Sequence, residues 1–180
     1  AGYKDINDRP VLSCGLKGIL YVELHARGAQ RDLHSSQAAI VVNPAWRLTW
    51  ALATLKDADD HITIDDYAQH VRAPTPAEMD ALKTIPYDEE KIRQNLGIKS
   101  FIGKRTGIDL SKKFLYEPTC TICGLYSGYI GEGSKTVMPN HAFAKIDFRL
   151  VPNLTPDLVL ELLKKHLARR GFDDIEVVLT

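Results

Sequence analysis

The stretch from Thr136 to Pro152 constrains the fold of this chain more than any other. Within it Ala142, Ala144, Ile146, Phe148 and Leu150 alternate with Phe143, Lys145, Asp147 and Arg149. Successive strand side chains point to opposite faces, so the pattern predicts a half-buried strand with one apolar and one charged face. Pro139 and Pro152 interrupt hydrogen-bonded pairing on either side of it. A second alternation sets Leu20, Val22, Leu24 and Ala26 against Tyr21, Glu23, His25 and Arg27, and predicts another long strand ending at Gly28. Arg149 falls near the end of the first strand, on its polar face. There it is either a solvated or salt-bridged surface arginine or a rigidly held cation aimed at an anion.

Two helices accompany these strands. Asn43-Pro44 supplies an N-cap and a proline at the first helical position, and predicts a helix from Pro44 to about Lys56. Its apolar residues fall in two stripes, Trp46, Trp50 and Ala53 on one side and Leu48, Leu52 and Leu55 on roughly the other. One stripe is expected to pack on the sheet. The other needs an insertion, a second domain or another copy of the chain to cover it. Thr155-Pro156-Asp157 opens a second helix with a single stripe of Leu158, Val159, Leu162, Leu163 and Leu167. Basic residues crowd its last turns and Gly171 closes it; His166 is expected on its surface.

His61–Ile64 reads as a short strand, Thr119 to Tyr126 as a longer one before a glycine-rich turn, and Ile175 to Leu179 as the last. Residues 66–118 read as an insertion of short helical pieces. Thr75-Pro76-Ala77-Glu78 is a capping box, and Asp88 to Leu96 is a helix closed by Gly97. The expected fold is therefore α+β, a two-layer ferredoxin-like sandwich with a mostly antiparallel sheet, two helices on one face and a helical insertion. Residues 1–15 read as a junction and 16–180 as the domain.

The chain of 180 residues carries 23 basic and 23 acidic side chains, so no overall field favours nucleic acid or a membrane surface. No apolar run approaches the ~18 residues of a membrane span, and the polar N-terminus shows no secretory signal. Three cysteines argue against a disulfide framework and point to the reducing cytoplasm. Cys120 and Cys123 form a C-x-x-C, but zinc would need further ligands and Cys14 is the only other cysteine. A thioredoxin-like pair belongs at a helix N-terminus, whereas this one lies in strand-like sequence. Gly131 to Thr136 is no phosphate loop, because Ser134 separates glycine from lysine and a strand follows. His34, in the polar loop after the Gly28 turn, is the histidine best placed for presentation by a scaffold.

Three segments in order and spacing resemble one family: Arg31-Asp32-Leu33-His34-Ser35, Gly131 to Pro139, and Asp147-Phe148-Arg149-Leu150-Val151-Pro152. It is the two-metal exopeptidase family of carnosinases, aminoacylases, desuccinylases and acetylornithine deacetylases, with the carnosinase-like branch most similar. The resemblance implies that this chain is the lid or dimerisation domain inserted into a metal-binding catalytic domain. His34 is then similar to the histidine that crosses the dimer interface to polarise the substrate carbonyl in the neighbouring subunit. Thr136 and Arg149 resemble the threonine and arginine that hold the substrate's carboxylate. Ser36 departs from the family's usual glycine, and Asn140-His141 falls at a variable place. The implied partners are a second copy, the catalytic domain and a dipeptide or N-acyl amino acid, with no nucleic acid and no membrane. This chain itself is expected to hold no catalytic metal, while the parent enzyme uses two divalent ions, expected to be zinc. The rival reading is a free-standing ferredoxin-like binding or regulatory module. A zinc or redox protein built on Cys120 and Cys123 is a third.

Overall fold

The computed structural model describes residues 3–5, 8–13 and 15–180. Alternating apolar side chains form the expected long strands, β1 (Gly18–Arg27) and, later in the chain, His141–Leu150. Between them lie β2 (Leu33–His34), α1 (Pro44–Ala53), α2 (Pro76–Lys83), α3 (Glu89–Leu96), α4 (Gly107–Tyr116), β3 (Thr119–Ser127) and β4 (Val137–Met138). The His141–Leu150 strand is β5, followed by α5 (Pro156–Arg169) and β6 (Glu176–Leu179). A two-residue ladder, Tyr3–Lys4 with Pro10–Val11, precedes them. Cys14 lies outside the described residues.

The main sheet has the order β3-β5-β1-β6, antiparallel throughout. This is the expected ferredoxin-like arrangement, with α1 and α5 packed on one face. Leu20, Val22, Leu24 and Ala26 of β1 and the alternate residues Ala142 to Leu150 of β5 are all buried on that face. They meet Leu48, Ala51 and Leu55 at α1, and Val159, Leu162, Leu163 and Leu167 of α5, in one core. The registers Leu20↔Phe148, Val22↔Ile146 and Leu24↔Ala144 place these rows side by side. A one-residue slip would turn either row to the opposite face, so burial itself fixes the register.

Several expectations are corrected. His61–Ile64 is not a strand. Only Ile62 forms a single bridge, to Lys56, because Asp57 accepts the backbone N–H of His61 at 2.8 Å and folds the segment back on the end of α1. The α1 helix ends at Ala53, three residues short of Lys56, where Thr54 caps it. His166 is not on the surface: it is fully buried against Thr54 and Asp65. The stretch 107–116, which the sequence left unassigned, is a regular helix with Leu110 and Ser111 buried.

The two stripes of α1 part as the pattern implies. Leu48 is buried, whereas Trp46 and Trp50 remain 59% and 53% exposed and stack on each other at 5.9 Å. The helices between residues 76 and 116 do not cover them. The helix-side residues of edge strand β3, Ile122 and Leu125, are likewise exposed, as are Ile40 and Val42 ahead of α1.

Candidate functional site

His34 owes its position to two short strands that pair outside the main sheet. Leu33 pairs with Met138 and His34 with Val137, and Ser35 donates its backbone N–H to the Thr136 carbonyl at 3.0 Å. Met138 is buried and anchors this ladder. The Asp32 carboxylate accepts the backbone N–H of Asn140 at 2.9 Å, and the Asn140 carbonyl accepts from Gly28, so the loop is tied to the start of β5. Gly28 leaves no room for a Cβ, which would lie 2.9 Å from the Pro44 ring.

This brings two of the expected site residues together. The Thr136 hydroxyl lies 3.1 Å from Nε2 of His34. On the other edge of the ring, Nδ1 accepts the backbone N–H of Ser36 at 3.2 Å and lies 2.9 Å from its hydroxyl. A nitrogen that accepts carries no hydrogen, so neutral His34 keeps its proton on Nε2 and points it at Thr136. With the ring N–H donating to Thr136 Oγ1, the threonine's own hydrogen is left to donate elsewhere. The pair is exposed, and with Nε2–H taken by Thr136 Oγ1 it presents one free donor, the threonine hydroxyl. Ser36, marked in the sequence only as a departure from a glycine, is the residue that orients the ring.

Arg149 stands elsewhere. Its Nε donates to Asp147 at 3.1 Å, its side chain is half exposed, and its two terminal nitrogens have no acceptor among the described residues. Those are the two donors that a carboxylate takes side by side. Eight residues of extended strand, about 27 Å, separate it from His141 at the end where His34 and Thr136 lie. One chain therefore does not bring Arg149 to Thr136. Lys17 lies close to Arg149, donates to the Glu117 carbonyl at 2.6 Å, and is held below its ordinary value by burial. Nothing in the sequence patterning distinguishes Lys17.

The C-x-x-C residues diverge. Cys120 faces the core, and burial pushes its thiol up to about 12. Cys123 sits exposed at a bulge in β3, where the register against β5 shifts between Ile122 and Gly124. Among the described residues no three His, Cys, Asp or Glu side chains form a group able to hold a metal ion. The donor set here does not fit a two-ion centre.

A family model described as the peptidase dimerisation domain matches residues 14–174. The solved structure of an M20 family metallo-carboxypeptidase from Sulfolobus solfataricus is 41% identical, with a TM-score of 0.90 over 97% of this chain and 40% of that one. The dipeptidase Dug1p from Saccharomyces cerevisiae is 26% identical, with a TM-score of 0.84 over 99% of this chain and 37% of its own. A Cys-Gly metallodipeptidase from Schizosaccharomyces pombe is 30% identical over 162 residues, 89% of this chain and 34% of that protein. The chain thus spans about a third of the length of the curated relatives it matches. It belongs to the peptidase dimerisation domain family.

Proposed function

We propose that this chain is the lid and dimerisation domain of a metal-dependent peptidase that hydrolyses small peptides. Residues 1–15 would join it to a catalytic domain, and residues 66–118 would be an insertion in the lid. Two divalent ions, zinc by preference, would be held by that catalytic domain, in keeping with the metallodipeptidase name of a relative. The unpaired thiols of Cys120 and Cys123 favour the cytoplasm as its compartment. No helix among the described residues is long and apolar enough to cross a membrane.

The observation that carries the reading is the placement of the three site residues on β5 and its approaches. His34 and Thr136 converge to 3.1 Å at one end, while Arg149 occupies the other. In a two-fold dimer one end serves each chain's own site and the other reaches the partner's. We assign Arg149 to the substrate carboxylate in its own subunit, where its free guanidinium edge supplies a bidentate contact. His34 Nε2–H and the Thr136 hydroxyl act in the partner's site. On substrate binding the first exchanges Thr136 Oγ1 for the carbonyl oxygen and donates to it as charge builds there, a contribution typically worth about 3–4 kcal/mol. The second donates to the carboxylate.

The test is complementation in the whole protein. His34→Ala and Arg149→Ala should each lower turnover by at least about a hundredfold. Mixed dimers of the two variants should regain activity, because one of their two sites again has both residues. Recovery close to that of either parent variant would show that the two residues serve one site from one chain, and would sink the assignment. A free-standing binding module would lose no turnover in either variant.

A further inference from the structure

The sheet face that carries no helices holds a line of side chains that the proposed function does not use. Glu23 Oε2 lies 2.9 Å from His25 Nε2, and His25 Nδ1 lies 2.9 Å from His141 Nε2. The two imidazoles are coplanar within 2°, with centroids 5.1 Å apart, so a single N–H···N hydrogen bond joins them end to end. Phe143 stacks against both rings at 5.6 and 5.8 Å. Lys145 holds the second oxygen of Glu23 at 3.1 Å.

We propose that Glu23, His25 and His141 form a proton-storing switch: in mild acid the two histidines take up one proton as a unit and hold it on His25, and a second proton parts the rings. At neutral pH the Glu23 carboxylate accepts Nε2–H of His25, whose bare Nδ1 accepts Nε2–H of His141. This leaves Nδ1 of His141 as a lone pair with no partner among the described residues, and there the proton from solvent binds. As it does so, the Nε2–H bond of His141 breaks and that proton passes to Nδ1 of His25. His25 then carries the charge with both of its N–H groups donating, one to a carboxylate and one to the imidazole nitrogen just freed. His141 ends neutral, in its other tautomer.

The surroundings favour one proton and oppose two. Hydrogen bonds from Lys145 and His25 hold Glu23 below the usual carboxylate range, so it remains an acceptor for the stored charge. Burial, with His25 and Arg27 beside it, holds His141 below the ordinary histidine value, against the pull of Glu176. Arg27 on β1 and Glu176 on β6 pair with each other at 3.4 Å. From β3, the Ser127 hydroxyl donates to the His141 carbonyl at 3.0 Å, and the Tyr126 ring packs on Phe143 at 5.7 Å. A second proton would set two N–H groups head to head 2.9 Å apart on two positive rings, so it enters only as the rings separate. His141 is the first residue of β5, next to Asn140, which bonds Asp32 and Gly28. The rings therefore part at the root of the loop that presents His34.

NMR of the whole protein, with 15N in its histidine rings, tests the switch from about pH 8 to about pH 4. A coupling across the hydrogen bond should join His25 Nδ1 to His141 Nε2, and both Nδ1 signals should pass from bare to protonated at one common midpoint. The coupling should survive that step and vanish in a second step more than about one pH unit lower. In His141→Gln the second step should be lost from His25, which should titrate once. Absence of the coupling, or separate first midpoints for the two rings, would overturn the proposal in the wild-type protein alone, whether or not the variant folds. A second step that persists at His25 in His141→Gln would overturn it equally.

Discussion

Asp65 donates its backbone N–H to Nδ1 of His166 at 3.1 Å, and this contact settles the protonation of a histidine with no access to solvent. The proton must sit on Nε2, which donates to Thr54 Oγ1 at 2.9 Å, and Thr54 passes its own hydrogen to the Ala51 carbonyl. Burial holds the group below its ordinary value, against the pull of the Asp65 carboxylate. As pH falls below about 6.5 the unfolded chain takes up a proton that the folded chain refuses. The contribution of neutral His166 is thus complete above that pH and is lost progressively toward the depressed folded value. Thermal unfolding should therefore show a drop in midpoint between pH 7 and 5 that shrinks in His166→Gln, which keeps a donor and an acceptor but does not titrate. The same slope in both proteins would exclude His166 as its source. The sequence holds a signal for this burial. Residue 166 lies three and four places after the core residues Leu163 and Leu162, on the stripe that ends at Leu167, but the basic residues around it suggested a wet surface. The motif around His34 was legible, whereas the support from Ser36 was not, because it depends on a short 3-10 turn, Ser35–Ala39.

Among the elements, those with chemical punctuation are the most legible in the sequence. Thr75 caps α2 by accepting the Glu78 N–H at 3.2 Å, and Glu78 returns to the Thr75 N–H at 2.6 Å. Arg72 grips the same carboxylate with two nitrogens and, with Thr75, lowers Glu78 to about 2. The box therefore persists well into acid and fails only as pH falls from ~4.5 toward that value. Replacing Thr75 by Ala should cost about 1 kcal/mol of local stability, or roughly fivefold in amide protection over residues 79–83. Protection unchanged within a factor of two would mean that Arg72 and Glu78 alone hold the turn. Elements without such punctuation are less legible. Residues 61–64 have strand-like composition, yet their backbone donors are taken by Asp57 and Leu55 before the sheet can use them. The N-cap of α4, Thr106, makes no side-chain cap hydrogen bond, so no local pattern announces that helix.

For the whole molecule, the long strands and the two covering helices follow from periodicity, because apolar alternation and register enforce each other. What periodicity could not assign was the cover for the second stripe of α1. Trp46 and Trp50 remain exposed, with Ile40 and Val42 leading to them from the His34 turn and Ile122 and Leu125 on the open edge strand β3. Edge strands and exposed tryptophans are both disposed to pair with another chain. In a member of a dimerisation-domain family, the second copy is the natural occupant. The double variant Trp46→Glu, Trp50→Glu in the whole protein should shift sedimentation equilibrium from dimer to monomer at micromolar concentration. A dimer of unchanged affinity would move the interface elsewhere.

The two-ended layout of β5 also has a consequence for inheritance. On the assignment proposed above, in a cell making intact and His34-deficient copies together, each site would take its arginine from its own chain and its histidine from the partner. A defective copy would then silence the site of whichever chain it joins, while its own site, with its own arginine, would still work with the histidine of an intact partner. Pairing at random, the share of working sites equals the share of intact copies. Such a lesion would scale with dosage and would not poison the remaining enzyme.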